Sequence, residues 1–138
     1  AREALINKAK SDIYVSFERI NKNFKKAPET YRSTLNQLED YNKETILEIE
    51  KNKVSVFSLS DENYLRDLVE QTKKKENLKI ILAIEINYQA LHYILFRFKN
   101  SEKVMVMDPM IGRNQKMKIE NFIKAYEKHA IGVALTVY

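Results

Sequence analysis

Along the first 26 residues, Leu5, Ala9, Ile13, Phe17, Ile20 and Phe24 recur at steps of three and four with charges between them. That spacing predicts an amphipathic helix from about Arg2 to Lys26. Ala27-Pro28 interrupts it, and proline suits the first turn of a second helix running to about Lys51, with Tyr31, Leu35, Leu38 and Tyr41 on one face. At Lys53 the period changes. Val54, Val56 and Phe57 predict a short strand, and Ser60 is the expected N-cap of a helix from Asp61 to about Lys75, buried through Leu65, Leu68 and Val69. The apolar run from Lys79 to Ile86 suits an interior strand. Leu91–Phe98 and Lys103–Asp108 then alternate, joined by Lys99-Asn100-Ser101-Glu102, which predicts a hairpin. A last helix is expected from about Lys118 to Lys128 around Phe122, Ile123 and Tyr126, and Gly132–Tyr138 closes the chain as a strand. Helices first, then a mostly antiparallel sheet with one late helix, is an α+β pattern.

Composition narrows the chemistry. The 138 residues suit one domain, 1–138, with one core. Two glycines and two prolines exclude glycine-rich phosphate cradles and long flexible linkers. The sequence contains no cysteine, which removes disulfides, thiolate metal sites and a cysteine nucleophile from the chain as written. No apolar run reaches membrane-spanning length and no signal-peptide pattern opens the chain. It begins at Ala1 rather than methionine, which points to a processed product or an excised domain with neighbouring domains outside it. The net charge of +5 raises the question of nucleic acid, but the lysines fall in short groups without interleaved glycine and aromatic residues, and a solvated surface is the preferred reading.

The hairpin carries the candidate chemistry. With Lys99 to Ser101 as the loop, Phe98 faces Glu102, Phe96 faces Val104, Ile94 faces Val106, and His92 faces Asp108. Directly opposed residues have Cβ atoms about 5 Å apart, within reach of a carboxylate–imidazole hydrogen bond. Such a pair fixes the imidazole tautomer and stabilises its protonated form, as the base and its orienter do in a nucleophilic triad. The competing reading is a satisfied core histidine beside an ordinary Asp-Pro turn. His129, after Lys128 at a helix C-terminus, suits a favourable dipole contact. Ser58, Ser60 and Thr72 lack the context of a nucleophile. No metal site is expected, since His92 and His129 have no third ligand.

The run Leu91-His92-Tyr93-Ile94-Leu95-Phe96, then Val104-Met105-Val106-Met107-Asp108-Pro109, Gly112 and a short helix holding Phe122, resembles the C-terminal half of the bacteriocin-processing C39 peptidases. The YopT-like effector proteases share a similar histidine and Asp-Pro-x-x-Gly layout. The resemblance covers about the last 60 residues. It implies a papain-like fold, with N-terminal helices packed on a twisted antiparallel sheet, no cofactor, and a peptide or unfolded protein segment as partner. His92 would be the base and Asp108 its orienter. Tyr88 and Gln89, just before the histidine strand, would border the peptide groove.

The sequence departs from that family at the nucleophile. The family's cysteine opens the first core helix with a glutamine just before it. Its position falls near Ile13 or Tyr14 here, with no matching glutamine upstream. Degenerate C39-like domains of toxin exporters carry tyrosine at this place and bind unfolded cargo without cleaving it, and Tyr14 fits that pattern. Three readings stay open. The chain is a non-cleaving C39-like domain of a bacterial export or effector system, at the cytoplasmic face of a membrane or in a delivered effector. It is an active cysteine protease whose cysteine was replaced or lies upstream of Ala1. Or it is a basic interaction domain unrelated to peptidases.

Overall fold

The computed structural model describes residues 12–26, 55–75, 77–86 and 90–137. Their elements are β1 (Asp12–Val15), α1 (Phe17–Lys26), β2 (Ser55–Ser58), α2 (Tyr64–Lys74), β3 (Lys79–Ile86), β4 (Ala90–Asn100), β5 (Lys103–Asp108), β6 (Arg113–Lys118), α3 (Ile119–Tyr126) and β7 (Ala130–Val137). The seven strands form one sheet in the order β2-β1-β7-β3-β4-β5-β6. β1 and β2 run parallel and every other neighbouring pair runs antiparallel. The fold is therefore α+β with a mixed sheet, and the expectation of an antiparallel sheet is corrected at the β1–β2 edge. The second expected helix, over about 28–51, lies outside the described residues.

One face of the sheet carries the core. Ile80, Leu82 and Ile84 of β3, Ile94 and Phe96 of β4, and Val104 and Val106 of β5 point into it. α2 covers this face through Leu65, Leu68, Val69 and Thr72, the i, i+3, i+4, i+7 stripe that a helical period dictates. α3 adds Ile119 and Phe122, whose ring lies 4.7 Å from that of Phe96. Burial of such side chains stabilises by roughly 1.5–3 kcal/mol each. The expected helix from Asp61 starts later, because Asn63 rather than Ser60 precedes its first turn and makes no side-chain cap.

Two local corrections bear on the candidate site. Asp12–Val15 is a strand, not the middle of a helix. Ile-Tyr-Val is a β-prone run, and pairing on both sides with β2 and β7 overrides the weak helical spacing. The chain turns helical only at Phe17, after Ser16, whose Oγ accepts the Arg19 N–H at 3.4 Å as an N-cap. The second correction is β6, which the reading of the sequence left out. Arg113–Lys118 has no apolar run, and of Arg113, Gln115 and Met117, which share the core side opposite Asp108, Val106 and Val104, only Met117 is apolar.

The hairpin closes more tightly than expected. Asn100 pairs with Lys103, and Ser101 and Glu102 form a two-residue turn with φ of 39° and 64°, the left-handed pair that right-twisted strands prefer. With a bulge between Phe98 and Asn100, Phe98 faces Val104 and Phe96 faces Val106. The register is two residues away from the expected one. An even shift leaves every side chain on its expected face.

Candidate functional site

His92 stands near the start of β4, opposite Ile84 of β3, on the same face as Ile94 and Phe96. Asp108 is the last residue of β5. The two-residue shift removes them from direct opposition, yet His92 Nε2 and Asp108 Oδ1 lie 2.6 Å apart. Both side chains retain 14% of their exposure, so the pair is screened but reachable. An ionised carboxylate can only accept, so Nε2–H donates, and Nδ1 is the nitrogen left over to take or give a proton.

The turn after Asp108 holds that carboxylate. Oδ1 also accepts the Met110 N–H at 2.9 Å. The backbone carbonyl of Asp108 accepts the N–H groups of Ile111 and Gly112, both at 3.0 Å. Gly112 sits at φ 73°, in the left-handed region that favours glycine. Met110 and Ile111 are left 74% and 46% exposed on this turn. Tyr126 of α3 is half-buried, and its phenol is pushed above its ordinary range first by burial and then by the Asp108 charge. Tyr126, which the sequence marks only as a core or rim residue, is therefore part of the electrostatic surroundings of the pair.

The other expected site residues fall differently. Tyr14 lies on β1, buried, with its ring stacked 5.2 Å from that of Phe57 and its hydroxyl donating to Gln71 Oε1 at 3.4 Å. It precedes the start of α1 by three residues. Ser16 stands there instead, with no exposed surface, its N–H donating to the Gly132 carbonyl at 2.8 Å. Ser16 is thus anchored to β7, and β3 separates β7 from His92 on β4, a span of roughly 10 Å between strand backbones. Tyr88 and Gln89 lie outside the described residues. Ser58 and Ser60 are exposed, Thr72 is buried with its hydroxyl donating to the Val69 carbonyl, and His129 is exposed.

A second polar constellation escaped the reading of the sequence. Arg19 of α1 reaches Asp61 Oδ1 at 2.6 Å, the Asp61 carbonyl at 2.8 Å, the Glu127 carbonyl at 2.6 Å and the Glu127 carboxylate. Its guanidinium lies 5.3 Å from the centre of the Tyr64 ring. The other Glu127 oxygen, Oε2, is buried without a hydrogen bond. These partners lie 42 and 108 residues away in sequence, so no local pattern announces them. The network joins α1 to the ends of α2 and α3.

Among the described residues no group of three or more histidine, aspartate or glutamate side chains could hold a metal, and no helix is long and apolar enough to cross a membrane. His92 and Asp108 form a hydrogen-bonded pair at one end of two interior strands, β4 and β5. A family model for the peptidase C39 family matches residues 10–137. The chain belongs to the peptidase C39 family. The match spans both the described helical start and the His92–Asp108 hairpin, well beyond the last 60 residues that carry the resemblance in the sequence. No curated protein and no solved structure matches the chain significantly.

Proposed function

We propose that this C39-family domain binds an extended or unfolded peptide segment without cleaving it, in a papain-like arrangement of α1 and the sheet. The observation that carries the reading is an assembled His92–Asp108 pair, 2.6 Å apart, in a chain that contains no cysteine. A family peptidase needs a thiolate beside that imidazole. The first described helix instead begins behind Ser16, whose hydroxyl caps the helix and whose surface is fully buried. The base is kept and the nucleophile is not. Met110 and Ile111 project beside the pair and would give an extended peptide apolar contact there. Such a domain would serve a bacterial export or effector system, holding cargo at the cytoplasmic face of a membrane or within a delivered protein.

The intact geometry also favours a second reading, in which the pair works as general base and acid with a cysteine that this sequence does not contain. One experiment separates the two. The chain and its His92→Ala variant are incubated with a mixed library of unstructured peptides, followed by mass spectrometry for cleavage and by NMR for binding. The expected result is no cleavage by either protein and peptide-induced shifts at His92, Met110 and Ile111. Cleavage that disappears in His92→Ala would overturn the non-cleaving reading.

A further inference from the structure

The face of the sheet opposite the core carries a charge pattern that the His92 site does not use. Because Ile80, Phe96, Val104 and Met117 lie on the core side, strand alternation turns Lys79, Arg97, Lys103, Lys116 and Lys118 to the other face. They come from four adjacent strands, β3 to β6, at the end of the sheet near the β4–β5 turn. Lys103 is paired directly with Lys118, Met105 with Lys116, and Arg97 with Met105. None of the five joins an ion pair among the described residues. The carboxylates nearby are engaged elsewhere, Glu102 by Lys73 of α2 and Glu120 by Arg66 of α2.

Like charges placed directly opposite each other weaken a strand pair. Lysine on an exposed edge strand guards against edge-to-edge pairing, which would account for Lys116 and Lys118 on β6. It does not account for Lys79, Arg97 and Lys103 on three interior strands. The same face continues into apolar surface, where Tyr93 and Met107 are 51% and 40% exposed. A cationic end and apolar side chains farther along the same face complement an amphipathic anion.

We propose that this outer face docks an acidic amphipathic polypeptide segment, with its carboxylates on the five cations and its apolar side chains on Tyr93 and Met107. A single-stranded nucleic acid would call for aromatic rings interleaved with the cations, and Tyr93, the one exposed ring that the described residues place on this face, stands outside the cationic end. Binding at a bilayer interface scales with the apolar area buried there, and the exposed large apolar side chains that the described residues place on this face are Tyr93 and Met107. This surface is on the opposite face of the sheet from His92, and its occupancy is independent of the peptide proposed there.

The test is fluorescence anisotropy with a labelled helical peptide bearing glutamates on one face and leucines on the other. A glutamine-for-glutamate version, phosphatidylserine vesicles and a single-stranded oligonucleotide are run beside it. The expected result is binding of the acidic peptide alone, weakened by added salt and by Met107→Ser. The double variant Lys103→Glu, Lys116→Glu should weaken it at least about fivefold. His92→Ala should leave it unchanged, which separates this surface from the peptide site. No binding of the acidic peptide, equal binding of its glutamine version, or indifference to the charge reversal overturns the proposal. So does charge-sensitive binding of the vesicles or the oligonucleotide in its place.

Discussion

His92 and Asp108 meet diagonally across the hairpin. The ladder that pairs Leu95 with Met107 and Phe98 with Val104 sets Asp108 beside Ile94 rather than His92. Diagonal neighbours on one face have Cβ atoms about 7–8 Å apart, and an imidazole and a carboxylate extended toward each other close that gap to 2.6 Å. Reach along the strand, together with the turn that holds Asp108 Oδ1 against the Met110 N–H, replaces direct opposition.

That geometry fixes the tautomer. Neutral His92 is expected to carry its proton on Nε2, donated to Asp108, with Nδ1 unprotonated. The ring-nitrogen shifts of labelled protein check this. Asp108→Ala should let the tautomers mix and should lower stability by about 1–3 kcal/mol through the loss of a charge-assisted hydrogen bond and of the Met110 contact. An unchanged tautomer in the variant would show that Asp108 does not orient the ring.

The legible parts of this fold were those where packing and period agree. β3 and β5 stand where their apolar and alternating runs place them, because each has a core side to fill. His92 and Asp108 were legible as partners although the register was not, since a two-residue shift preserves the face of every side chain. β1 was hidden because Ile13 and Phe17 also fit a helical step, and the deciding contacts come from β2 and β7, some 40 and 120 residues away. β6 was hidden because an edge strand that sends only Met117 to the core needs no apolar run. Arg19 and Tyr126 act through partners that no local spacing reveals.

Gly132 is the glycine that the fold requires. It sits at φ 100°, and a Cβ there would stand 2.7 Å from the Ser16 carbonyl oxygen and 3.0 Å from Arg19 Cβ. A backbone carbonyl beside a helix start cannot yield cheaply. Gly132→Ala should therefore lower stability by about 2–4 kcal/mol, from backbone strain and overpacking together, measured as a fall in the urea midpoint. Gly112→Ala meets nothing within 4 Å and strains only its φ of 73°, so its loss should be the smaller, about 1–2 kcal/mol. Equal losses at the two sites would refute the close approach of β7 to α1.

Alkaline pH should expose Tyr64. Burial holds its phenol protonated far above the ordinary tyrosine range, opposed in part by Arg19. In the unfolded chain the same phenol ionises near pH 10. The folded state thus keeps a proton that the unfolded state releases. The contribution is whole below about pH 10 and is lost as pH rises beyond it. Tyr64→Phe removes the hydroxyl that donates to the Tyr14 carbonyl at 3.2 Å, at about 1 kcal/mol near neutrality. It also removes the ionisation, so by about pH 11 the wild type should have lost about 1.4 kcal/mol more than the variant. Urea unfolding of both proteins across that range decides the matter, and parallel curves would count against a buried, protonated Tyr64.

Restoring a thiol is the sharpest test of the missing nucleophile. Ser16 is the residue at the start of α1, and a cysteine there would gain from the helix N-terminus, which favours a thiolate. Two features oppose its use. The Ser16 side chain has no exposed surface, and its neighbour across the backbone hydrogen bond is Gly132 of β7, with β3 between that strand and His92. Ser16→Cys is accordingly expected to react slowly with an aromatic disulfide reagent, to lose about 1 kcal/mol with its cap, and to hydrolyse no peptide. Rapid thiol modification together with peptide hydrolysis that His92→Ala abolishes would mean that a single atom separates this domain from an active peptidase, because imidazole and thiolate would then stand within reach of one substrate carbonyl.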